Sequence, residues 1–138
     1  MDIKSLRIGD WVLDKAVSDK PVQIEQINEK NVHYKHGKGY MSAGIELLEP
    51  IAVTPEFLLK NGFVEMSKGR YVCHVMTGDG YFDIRLKDLN NGTWMLVISS
   101  WNKTTDSTSM FTASNAKMSV YELQHYIADC KIDKQIVL

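Results

Sequence analysis

Cysteine, net charge and long apolar runs are all scarce in this chain of 138 residues, and each shortage closes off a class of protein. The two cysteines, Cys73 and Cys130, lie far apart, whereas a disulfide scaffold carries more of them at closer spacing. Both read as reduced thiols that fill apolar space, buried and holding no metal. The formal net charge is −1, which removes the global positive field that a nucleic-acid or anionic-membrane protein uses. Balance holds locally too: residues 1–50 carry seven Lys/Arg against eight Asp/Glu, and residues 51–138 carry nine of each. The longest aliphatic run, Met95 to Ile98, is far too short to span a bilayer. The stretch Met1 to Trp11 is charged and lacks the apolar core of a signal peptide. The expected location is therefore the cytoplasm, with no membrane partner.

Catalytic signatures are missing as well. No glycine-rich run matches a phosphate loop; Gly37-Lys38-Gly39 is short and precedes no capped helix. Zinc asks for four converging ligands. His33 and His36 have opposite strand parity and point to opposite faces, as do the neighbours Cys73 and His74. No serine sits in a nucleophile elbow. Asp79 and Asp83 are explained by a turn and an exposed strand face. No catalytic residue, metal ligand or cofactor is assigned on this basis.

What is present reads as short strands followed by a mixed segment. Val22 to Glu25 and Val32 to Lys35 alternate apolar and polar residues, with a polar turn at Asn28 to Asn31. Ile45 to Leu48 reads as a further strand. Close spacing of this kind suggests a small curved sheet or barrel. Glu49-Pro50 and Thr54-Pro55 bracket a boundary. Thr54 then caps a helix of about two turns, Pro55 suits its first position, and Gly62 suits a left-handed ending that folds Phe63 back onto Leu58. Strands are expected at Tyr71 to Thr77, Tyr81 to Leu86 and Thr93 to Ser99, with a fourth at Ser109 to Thr112. Gly78-Asp79-Gly80 and Asn90-Asn91-Gly92 are the turns between the first three. The first and third are apolar on both sides, which predicts cover on both faces, including Met95 and Val97. Ser119 and Glu122 form a capping box, and Val120, Leu123, Ile127 and Cys130 make one apolar helical stripe.

One segment mixes charge with aromatic rings. Lys30, His33, Lys35, His36 and Lys38 are interleaved with Tyr34 and Tyr40. Basic groups beside stacking rings are what a single-stranded nucleic-acid groove uses. A solvated hairpin whose lysines blunt an edge strand accounts for the same residues. In that case the Tyr34 ring turns inward with Val32. Trp11, after the Gly9-Asp10 turn, packs in a core or lines a shallow groove.

Three stretches together carry a resemblance: Leu6-Arg7-Ile8-Gly9-Asp10-Trp11-Val12; Leu48-Glu49-Pro50-Ile51 continuing through Thr54-Pro55-Glu56-Phe57-Leu58-Leu59-Lys60 to Gly62-Phe63; and Val120 through Glu122-Leu123-Gln124-His125. The set resembles a family of small uncharacterised Bacteroidetes proteins associated with phages and mobile elements. Asp10 stands where that family has asparagine, and Ala52-Val53 where it commonly has proline. The resemblance implies a phage or prophage context and carries over no catalytic residue.

The expected fold is α+β: a small β-rich, SH3-like unit over residues 1–50, packed on an antiparallel meander of three or four strands with two helices over residues 51–138. The expected function is non-enzymatic binding of another protein. The alternative is a nucleic-acid-binding accessory protein that uses the 30–40 hairpin.

Overall fold

The computed structural model describes residues 1–17, 20–115 and 117–138. Strand and helix patterns resolve into an α+β fold with two five-stranded antiparallel sheets. The chain divides into two compact units: residues 1–52 with 119–124 and 138, and residues 53–118 with 125–137. Among the described residues, no helix is long and apolar enough to cross a membrane.

In the first unit the strands are β1 (Trp11–Asp14), β2 (Pro21–Ile27), β3 (Asn31–His36), β4 (Gly39–Gly44) and β5 (Leu48–Pro50), in the order β4-β3-β2-β1-β5. Alternation in β3 sends Val32 and Tyr34 into a core shared with Leu6, Val12, Ile24, Ala43 and Leu48. The Tyr34 hydroxyl donates to Asp14 Oδ2 at 2.6 Å, while Asp14 Oδ1 accepts the Ala16 N–H at 3.0 Å. These bonds let a carboxylate sit almost wholly buried. The expected strand at Ile45 to Leu48 is instead a 3-10 turn, Ile45–Leu47, that leads into β5. Glycines at both ends of β4 hide that strand from a propensity reading. The unit is completed from far along the chain. Gln124 accepts the Trp11 N–H at 3.0 Å and donates to the Gly9 carbonyl at 2.9 Å.

In the second unit α1 (Pro55–Lys60) starts where Thr54 Oγ1 accepts the Phe57 N–H at 3.2 Å. It ends in a Schellman motif: Gly62, at φ +83°, follows the cap, and the Phe63 N–H reaches the Leu58 carbonyl at 3.0 Å. The sheet follows as β6 (Val64–Ser67), β7 (Arg70–Thr77), β8 (Gly80–Asn90), β9 (Thr93–Asn102) and β10 (Ser107–Asn115), in sequential order. Five strands replace the three or four expected. The extra one, β6, is exposed at all four positions, so no alternation announces it. The Asn90-Asn91-Gly92 turn has positive φ at all three residues. The second helix, α2 (Val120–Asp129), is divided between the two units, and its first turn, in the first unit, starts at the capping box: Ser119 and Glu122 bond each other's backbone N–H at 3.2 and 3.3 Å.

One face of this sheet is covered. Tyr71, Cys73, Ile84, Leu86, Trp94, Leu96 and Ile98 are buried on it, as are Phe57, Leu58 and Phe63 from the α1 region and Ile127, Ile132 and Ile136 from the C-terminal part. The Phe111 ring lies 5.5 Å from Tyr126 of α2, and the Trp94 indole donates to the Val53 carbonyl at 3.2 Å. Buried Asn61 ties the last segment in place. Its amide donates to the carbonyls of Phe57 (3.0 Å) and Val137 (2.8 Å) and accepts the Val137 N–H (2.7 Å). The other face departs from expectation: Met95 is exposed, Val97 is half-buried and Met76 is 69% exposed. Thioether side chains tolerate both settings, so a strand apolar on both sides need not be covered on both. Cys73 is buried as expected, but Cys130 lies just past the end of α2 and is only half-buried.

Two predictions follow from these bonds. Replacing Asn61 with Ala removes the partner of both Val137 backbone groups, while the Phe57 carbonyl keeps the Asn61 backbone N–H. It should cost about 1–2 kcal/mol, the scale of lost part-buried hydrogen bonds, measured by urea unfolding. Asn61→Asp should be at least as damaging, because it aims a carboxylate at two carbonyl oxygens. For Tyr34, burial first, then the Asp14 carboxylate, pushes the phenol up to about 12. The neutral hydroxyl is thus favoured in the folded state. Its contribution is full below the usual phenol value and is lost as pH rises through that of the folded state. Thermal stability should fall over that alkaline window, and Tyr34→Phe should show a shallower fall; equal slopes would remove Tyr34 as the cause.

Candidate functional site

The open face of the second sheet is assembled by register. The two-residue Gly78-Asp79 turn sets Thr77 opposite Gly80, which places Met76 opposite Tyr81 and His74 opposite Asp83. The β8–β9 pairing then sets Tyr81 opposite Trp101 and Asp83 opposite Ser99. Three rings from three adjacent strands meet. His74 and Tyr81 have centroids 4.8 Å apart, and Tyr81 and Trp101 5.8 Å, with tilts of 35° and 33°. The Trp101 indole donates to Asp106 Oδ1 at 3.3 Å. Gly80 makes the approach of β9 possible, since a Cβ there would run into the Trp101 carbonyl.

Around this row lie four of the chain's seven methionines: Met76 beside it, Met110 on β10, and Met66 and Met95 further along. Met66, Met76 and Met110 are each about two-thirds exposed or more, at 66%, 69% and 73%. Two shallow hollows mark the face. One of about 350 Å³ lies between Tyr81, Ser99, Trp101, Thr108 and Met110. The other, of about 510 Å³, lies toward Met66, Arg85, Lys87 and Met95.

The polar chemistry here is that of positioning. His74 Nδ1 lies 2.5 Å from Asp83 Oδ1, and its Nε2 lies 3.0 Å from Met76 Sδ. Arg85 reaches the other Asp83 oxygen at 3.7 Å. A nucleophilic relay needs the imidazole between carboxylate and hydroxyl. Here Asp83 stands between His74 and Ser99, the wrong order. Among the described residues no group of three His, Cys, Asp or Glu side chains converges as metal ligands would. Burial, then Asp129, pushes the Cys130 thiol up, so it stays protonated and a weak nucleophile at neutral pH.

The residues singled out from the sequence lie in the first unit. Tyr34 is fully buried beside Val32, so its ring is closed to stacking. His36 shares its strand parity and has its ring 6.5 Å from that of Tyr34, edge-on. Register brings His33, Lys35 and exposed Tyr40 to the opposite side, with Lys35 directly across from Tyr40. Lys30 caps the Asn28 turn, donating its N–H to Asn28 Oδ1 at 3.1 Å, and Lys38 sits in the tip beyond β3. Trp11 is half-buried at the start of β1. Sequence reasoning missed His74, Met76, Tyr81 and Trp101. The signal was there: counting back from the Gly78-Asp79 turn pairs Met76 with Tyr81, and parity then adds His74.

No protein family, curated protein or solved structure matches this chain.

The close approach at Gly80 is testable. Gly80→Ala should destabilise the second unit by roughly 1–3 kcal/mol, the cost of overpacking, and should alter Trp101 fluorescence. Gly78→Ala, where no atom lies within 4 Å of the added carbon, should leave both unchanged.

Proposed function

We propose that this chain is a non-enzymatic, cytoplasmic binding protein, an adaptor of phage or mobile-element origin, that docks a protein partner on the open face of its second sheet. The observation that carries the reading is the row of Tyr81 and Trp101 flanked by exposed Met76 and Met110, with exposed Met66 further along the same face. Methionine, aromatic and arginine side chains are the residues enriched in protein interfaces, and flexible thioethers adapt to a partner's shape. An exposed apolar patch of this kind marks an interaction site. In the first unit, the closure of β5 onto β1 after a 3-10 turn supports the SH3-like reading, an architecture that hosts many binding modules.

The alternative places nucleic acid on the 30–40 hairpin, where Lys35 faces Tyr40. With Tyr34 buried, that hairpin keeps a single tyrosine ring for stacking, and the protein reading is preferred.

Photo-crosslinking separates the two. A benzoylphenylalanine placed at Met76 or Met95 should trap a protein from host lysate, and one at Lys38 should not. A Lys30/Lys35/Lys38→Ala triple variant should keep its fold and change no partner binding. Loss of salt-dependent DNA binding in that variant, at unchanged thermal stability, would replace the protein reading with the nucleic-acid one.

A further inference from the structure

We infer that the larger hollow on this face receives an acidic segment of the partner, with carboxylates spaced among apolar side chains; the inference rests on the docking reading above. Its lining has two chemistries. Met66, Met95 and Val97 supply an apolar floor, and Arg70, Arg85 and Lys87 supply the charge. A volume of about 510 Å³ falls within the roughly 300–1,000 Å³ of ordinary ligand sites.

The charge arrangement points to an anion. Arg70 lies directly opposite Lys87 in the β7–β8 ladder, and Arg85 is the next residue along β8 on the same side. Like charges facing each other across a strand pair weaken the pairing. Arg70 and Lys87 take part in no ion pair among the described residues, and Arg85 has only the long contact to Asp83. Asp83 and Asp106 sit toward the aromatic end of this face, against His74 and Trp101, while Glu65 bonds the Tyr71 hydroxyl at the edge of the hollow. Arg70 and Lys87 therefore meet over a thioether floor with no carboxylate paired to either among the described residues, and Arg85 beside them shares Asp83 with His74. An arriving carboxylate relieves their mutual repulsion, and its apolar neighbours cover Met66, Met95 and Val97. A bare polyanion would gain the first effect and not the second, which is why an acidic apolar peptide fits best.

The test is a random peptide library selected on the intact protein. Enriched peptides should carry Asp or Glu interspersed with Leu, Ile or Phe. Arg70→Gln/Lys87→Gln should weaken them by about fivefold to tenfold, the scale of two exposed ion pairs, and roughly 0.5 M NaCl should do the same. Melting temperatures of the variant at or above wild type would exclude unfolding as the cause. Peptides without acidic bias that Met95→Asp abolishes would overturn this inference and leave the docking reading standing. Peptides indifferent to both variants would overturn both. Single-stranded DNA that binds the same hollow more tightly than any peptide, and is lost in the double variant, would overturn the peptide assignment.

Discussion

Asn61 is where the covered side of the second sheet is held together. Asn61 is almost wholly buried, and its amide closes the end of α1 and grips both backbone groups of Val137 in three bonds. That grip adds to the burial of Ile132 and Ile136 in holding a segment that forms no helix or strand. A short helix, part of a second one and a tethered tail are what the unit has to lay against five strands. That supply covers one face. The bare second face is thus a consequence of composition and topology, and its content of methionine and tyrosine is what a face left in water can tolerate while staying adhesive.

The legible parts of the sequence were those written locally. Thr54-Pro55, the Gly62 ending and the Ser119–Glu122 box each specify backbone geometry within a few residues, and each forms as read. The positive-φ turn at Asn90 to Gly92 belongs with them. What escaped was written at long range or in ambiguous residues. β6 is a fully exposed edge whose identity comes from pairing with β7. β4 is bounded by glycines, which count against a strand until a neighbour supplies the ladder. Met95 reads as core because hydropathy does not distinguish a buried thioether from an exposed one. The ring row needed three registers at once, since His74, Tyr81 and Trp101 are neighbours only after β7, β8 and β9 are aligned.

The two basic-aromatic settings show how burial sorts similar residues. On β3, parity hides Tyr34, whose hydroxyl is spent on Asp14, and leaves Lys35 facing Tyr40. On the second sheet, parity sends Tyr81 and Trp101 outward on one surface with Arg85 and Lys87. Similar side chains thus serve packing in one place and an exposed surface in the other.

The first unit has a consequence for the order of synthesis. Trp11 and Gly9 bond Gln124, more than a hundred residues downstream, and the Val120 N–H returns to the Ile51 carbonyl. A ribosome releases the whole second sheet before it delivers those partners. The β1–β5 strands must therefore wait, partly finished, while later residues emerge. The N-terminal strands are made first, but their unit is not finished first.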